Sequence, residues 1–235
     1  MSLLTVITDA MSICGLEAAT SAYGSSDPTV AQFVALAQVE GDELSRFHDW
    51  RRLKTAGTIT GDGTTTLWPL PSGFDRLAPG SPFWSTEDAG DALDGPISDA
   101  DLVALKAMDT DPPDPVWRLV GTNIEIWPAL ENAEVVNYEY RSEYWILDNN
   151  GSTTKARWTA DVDTALVPER LITLGLVWRW KQAKGLEYSE AFRSYQIERT
   201  RQSMVDGGRG VITMRDTFSE DIAKMGRPAY YRVET

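Results

Sequence analysis

The chain has 235 residues, 42% of them hydrophobic, with 35 acidic against 22 basic side chains and a net charge of −13. That balance excludes a tight grip on nucleic acid, which needs Lys and Arg at the phosphates. One cysteine, Cys14, excludes an internal disulfide, and with one histidine, His48, it excludes the usual zinc ligand sets. No apolar run is long enough to span a membrane, and the first residues carry no secretory signal pattern.

In chain order, Leu3, Val6, Ile7, Ala10, Met11 and Cys14 recur at helical spacing. They predict a helix over 3–14, capped by Ser2 and stopped at Gly15. A second helix is expected from Asp27-Pro28, because Asp caps well and Pro is tolerated at the first helical position. Its stripe is Val30, Phe33, Val34, Ala37, Gly41, Leu44 and Phe47. Gly41 costs about 1 kcal/mol relative to alanine there, which implies close approach of another backbone. AGTIT, Gly61-Asp62-Gly63 and TTTLWPL read as a hairpin. LPSGFDRLAPGSPFW is Pro/Gly-punctuated and reads as irregular.

Residues 87–114 hold nine acids and one lysine, a solvated acidic face. Within them Ser98 and Asp101 form a capping box opening a short helix. VWRLV and IEIWPA, joined by GTN, form another hairpin, which EVVNYEYRSEYWIL should extend. A helix opens at Pro168 and stops at Gly185, and a second runs from about Tyr188 to Val205, giving an antiparallel helical hairpin. Leu171, Leu174, Trp178 and Phe192 are expected to pack on the stripe of Phe33, Val34, Leu44 and Phe47. After Gly207-Gly208, a hinge by glycine's freedom, the segment to 235 is too apolar for a solvating tail.

The expected fold class is α+β: mainly a helical bundle of N-terminal and C-terminal helix pairs (1–55 and 166–206), with an inserted β-rich part (56–165) and an extended C-terminal tail (207–235). Residues 1–167 carry a net −16 and 168–235 a net +3. No nucleophile elbow, phosphate loop or dinucleotide fingerprint is present, so no catalytic, cofactor-binding or metal residue is assigned. The alternative is a sugar-binding or carbohydrate-active protein using paired carboxylates with Trp68, Trp84, Trp117, Trp127, Trp145 and Trp158.

Four segments in order carry a resemblance: LLTVITDAMSICGL; DPTVAQFVALAQVEGDELSRFHDWRRLK; LPSGFDRL; and ALVPERLITLGLVWRWKQAKGLEYSEAFRSYQIERTRQ. Together, over about half the chain, they resemble the head-to-tail adaptor (connector) proteins of tailed bacteriophages. The resemblance implies a non-enzymatic virion subunit, assembled in the host cytoplasm into a ring, usually of twelve. The ring sits under the portal, lets DNA through without sequence-specific contact, and receives the tail or stopper protein. On that reading, the residues themselves suggest candidates for each contact. Arg209, Val211, Ile212, Met214, Arg215, Phe218, Ile222, Arg227, Tyr230 and Tyr231 would dock the tail on the portal. Trp180, about 200° around its helix from Trp178, would meet the neighbouring subunit with Arg179 and Lys181. Arg193, Arg199 and Arg201 would be the side chains nearest DNA phosphates.

Overall fold

The computed structural model describes residues 2–86, 92–108, 112 and 114–207. Among these lie five helices: α1 (Leu3–Ile13), α2 (Pro28–Phe47), α3 (Asp99–Lys106), α4 (Glu169–Ala183) and α5 (Ser189–Asp206). Eleven short strands form three antiparallel sheets: β1 (Lys54–Thr60), β2 (Leu67–Pro69), β3 (Phe74–Leu77), β4 (Phe83–Ser85), β5 (Ala92–Leu93), β6 (Val116–Val120), β7 (Asn123–Trp127), β8 (Val135–Ser142), β9 (Ile146–Leu147), β10 (Thr154–Lys155) and β11 (Thr164–Ala165). The expectation of a mainly helical bundle is therefore corrected: the α+β chain is strand-rich. Strands β3, β4, β5, β10 and β11 are not legible in the sequence because they have only two to four residues, too few for a period of two to declare itself.

The chain divides into two compact units. The first comprises residues up to 55, 72–79 and from 140 through α5. Its core contains Leu3, Ile7, Phe33, Leu44, Trp50, Trp145, Leu171, Leu176 and Trp180. Local signals set its helices. Ser2 Oγ accepts from Thr5 N at the start of α1, and Asp27 accepts from Thr29 N at 2.7 Å, with Pro28 opening α2. Gly185, at φ +68°, follows α4, and α4 and α5 pack as a hairpin. Gly41 does mark a close approach, but of a side chain: a Cβ there would collide with the Trp145 ring. Gly175 on α4 is similarly closed by the Glu40 carboxylate. β9 is the centre of a small sheet between β10 and β11, and β3 pairs with the end of β8, Leu77 opposite Tyr140.

The second unit contains 56–71 and 80–139. β6 and β7 form the expected hairpin, closed at Val120↔Asn123. The expected Gly61–Gly63 hairpin does not form. β1 joins β8, whereas β2 joins β7. Asp62 instead closes a local turn, accepting from the Thr65 hydroxyl (2.6 Å) and from the backbone N–H of Thr65 (2.6 Å) and Thr64 (2.9 Å), which together hold its carboxyl well below the usual range. Nor does β8 extend the β6–β7 hairpin; it pairs with β1, β3 and β4. The stretch read as irregular supplies β3 and β4. Phe83 on β4 stacks between Trp117 (4.1 Å) and Tyr138 (4.8 Å), which makes aromatic packing the centre of this core. α3 starts with Ser98 Oγ accepting from Asp101 N. It is anchored through Leu102, 2% exposed, and through ion pairs from Lys106 to Glu125 (2.7 Å) and from Arg118 to Asp99.

Candidate assembly site

α2 is followed by His48-Asp49-Trp50, and several elements of the first unit converge there. Trp50 is 1% exposed. Its Nε1 donates to Leu44 O at 2.6 Å, satisfying a carbonyl that the helix end leaves without a partner. Arg141 Nη1, from β8, donates to Trp50 O at 2.9 Å. Asp49 Oδ1 accepts from Arg76 Nε (3.0 Å) and Nη2 (2.8 Å), and Arg141 Nε lies at 3.8 Å. Two of the segments that carry the resemblance, His-Asp-Trp and Phe-Asp-Arg, thus meet at one carboxylate. Asp49 and Arg76 are each 35% exposed, so the pair fixes geometry more than it adds stability. On α5, the carboxylate of the last residue, Asp206, accepts from Arg51 N at 2.9 Å and faces His48 Nε2 at 3.5 Å. The end of α5 is therefore held at this corner.

The residues expected at a subunit contact are largely committed within the chain. Trp180 is 9% exposed, in the core, and stacks on Phe33 at 5.9 Å. Trp178, expected in the core, is half-buried under the aromatic row of α5, 5.0 Å from Phe192 and 6.0 Å from Tyr195. The two rings have opposite fates because α2 covers one side of α4 and α5 the other, and helical spacing cannot say which side is which. Arg179 Nε donates to Glu40 Oε2 at 2.6 Å, and its Nη2 reaches Glu43. Glu40 is fully buried. Burial pushes its carboxyl up, against the lowering by Tyr195 and Arg179. Burial also opposes the Arg179 cation, yet Glu40 and Glu43 raise its pKa overall. Lys181 is half-exposed.

The three arginines named for DNA are separated by the geometry of α5. Arg193 is exposed, with no partner among the described residues. Arg201 is exposed but bidentate on Glu198 at 2.9 and 2.7 Å, which holds Glu198 down to about 2. Arg199 lies over the Phe47 ring at 4.2 Å and lines a groove of about 480 Å³ with Val39, Glu43, Phe47 and Tyr195. Phe47 is 46% exposed and so is not the core residue its helical stripe implied. The proposed portal contacts, Arg209, Val211, Ile212, Met214, Arg215, Phe218, Ile222, Arg227, Tyr230 and Tyr231, lie outside the described residues.

Of the tryptophans named as sugar platforms, Trp117, Trp145 and Trp158 are buried and present no face to a ligand. Among the described residues no cluster of His, Cys, Asp or Glu is placed to hold a metal, and no helix is long and apolar enough to cross a membrane.

A family model described as SU10 adaptor protein matches residues 1–223. The chain belongs to that family. No match to it was found among curated proteins. Membership makes this adaptor a tailed-phage structural component and supports a structural rather than an enzymatic role. Two of the four segments that suggested an adaptor meet at Asp49.

Proposed function

We propose that the adaptor assembles as a closed ring of about twelve copies beneath the portal, the copy number resting on the likeness to connector rings whose interfaces are heterologous. DNA passes through the centre, and the face away from the portal receives the tail or stopper protein. The observation that carries this reading is the family match over residues 1–223. The net charge of −13 suits a conduit that does not retain DNA. Of the three arginines named for DNA, Arg199 and Arg201 are engaged within the chain. The segment 207–235 docks on the portal, with Arg209, Arg215 and Arg227 making charge-assisted contacts and Tyr230 and Tyr231 as terminal anchors. Its root is the Asp206–Arg51 hydrogen bond at the end of α2.

Mass measurement of the adaptor alone and with portal tests the ring. About twelve copies per portal are expected, and a chain that stays monomeric beside portal removes the proposal. Deleting residues 209–235 tests the docking. The truncated adaptor should keep its helical circular dichroism and melting temperature while losing portal binding. A melting temperature that falls steeply would place the segment in the adaptor's own core instead.

A further inference from the structure

Two helices carry faces that nothing among the described residues covers. On α5 the face opposite Tyr195 and Glu198 presents Arg193, Ile197, Thr200, Arg201 and Met204, all exposed. Ile197 is 61% and Met204 68% exposed, two turns apart and therefore on one line. On α3 the face opposite Leu102 presents Ala100, Val103, Ala104 and Ala107, all exposed, with Val103 at 67%. Met108, just beyond, is 62% exposed. An exposed apolar helical face of this kind marks a contact surface.

The two faces are complementary. The α5 face projects two long apolar side chains, whereas the α3 face is mostly alanine, which lets a facing helix approach and receive them as ridges in a groove. The α5 face carries Arg193, unpartnered among the described residues, and Arg201. The α3 face starts at Asp99, whose side chain pairs through Oδ1 with Arg118 of its own chain yet is 94% exposed, in a stretch with nine acids and one lysine over residues 87–114. A ring requires two different, mutually fitting patches on the same chain. Resting on the ring reading above, we propose that α5 of one adaptor packs across α3 of the next copy, with Ile197 and Met204 over the alanine face and Arg193 toward Asp99. A single helix-on-helix contact covers less than the roughly 800 Å² per partner of a stable interface. The pairing alone therefore does not hold free copies together, and the portal supplies the rest.

The test uses the full-length chain with Cys14→Ser, Val103→Cys and Ile197→Cys, assembled on portal. It is treated with a bismaleimide whose span matches the roughly 8–10 Å between packed helix axes. A ladder of covalently linked adaptors is expected, absent when either cysteine is present alone. Full assembly without a ladder, a ladder from one cysteine alone, or adducts to portal only would each overturn the α3–α5 contact while leaving the ring reading standing. Failure of the wild-type adaptor to assemble with portal removes the ring reading and this contact with it. If the new thiols block assembly, a charge exchange decides. Arg193→Glu should weaken assembly roughly tenfold or more, and adding Asp99→Arg in the same chain should restore it; loss without restoration overturns the contact.

Discussion

Replacing Trp145 with alanine should cost the first unit about 3–5 kcal/mol, the range for removing a fully enclosed large aromatic ring. Trp145 is 0% exposed. Its ring fills the space that Gly41 leaves on α2, meets Trp158 edge-on at 5.2 Å, and donates Nε1–H to Asp42 Oδ1 at 2.8 Å. The substitution therefore opens a cavity between α2 and the chain before β9 and leaves Asp42 Oδ1 with only the hydrogen bond from Gln38 Nε2 at 2.9 Å. Urea denaturation would read the loss as a lower midpoint at unchanged slope. The reciprocal change, Gly41→Ala, should also destabilise strongly, because the added methyl collides with the same ring. A Trp145→Ala loss below about 1 kcal/mol would mean that the ring is not enclosed.

The second large effect is expected at Arg179→Ala. It leaves Glu40, fully buried, without its guanidinium, and removing one partner of a buried pair costs about 3–5 kcal/mol near neutral pH. The loss should depend on pH in a fixed direction. Burial raises the folded-state pKa of Glu40 above its ordinary 4.5, and without Arg179 it rises further. The neutral acid is then the form the fold tolerates. The variant should be closest to wild type below about pH 4.5 and fall behind progressively as pH rises through the shifted value. Equilibrium unfolding at pH 4 and at pH 7 measures the difference. A deficit that is larger at pH 4 would show that Glu40 is not the group left stranded. Adding Glu40→Gln to Arg179→Ala should recover part of the loss at neutral pH, since a buried neutral amide costs less than a buried charge.

Helix positions were legible in the sequence because caps act locally. Ser2, Asp27, Ser98 and Gly185 each announce a boundary through a side chain or a backbone conformation within a few residues of it. Strand partners were not legible, because pairing is a choice among distant segments. Gly61–Gly63 resembles a hairpin turn, yet β1 finds β8 and β2 finds β7; Asp62 satisfies the local backbone without strand pairing. The glycine at 41 correctly signalled a close neighbour, but its residue type carries no record of whether a backbone or a ring fills the space. The pair Trp178 and Trp180 shows the same limit. Helical geometry sets them on opposite sides, and only the tertiary arrangement decides that Trp180 meets Phe33 and Trp178 meets α5. The corner around Asp49 was legible as a set of motifs, not as a contact. Nothing in the residues 48–50 names Arg76 or Arg141 as partners.

The hydrogen bond from Arg51 N to Asp206 also has a mechanical meaning. A virion junction carries tension whenever the particle is pulled or pressurised, and a terminal segment transmits force only as far inward as its first firm attachment. Among the described residues, one such attachment is the last residue of α5, held at 2.9 Å to the turn after α2. Force that reaches Asp206 is thus shared at once between α5 and the turn after α2, instead of peeling α5 away turn by turn from its end.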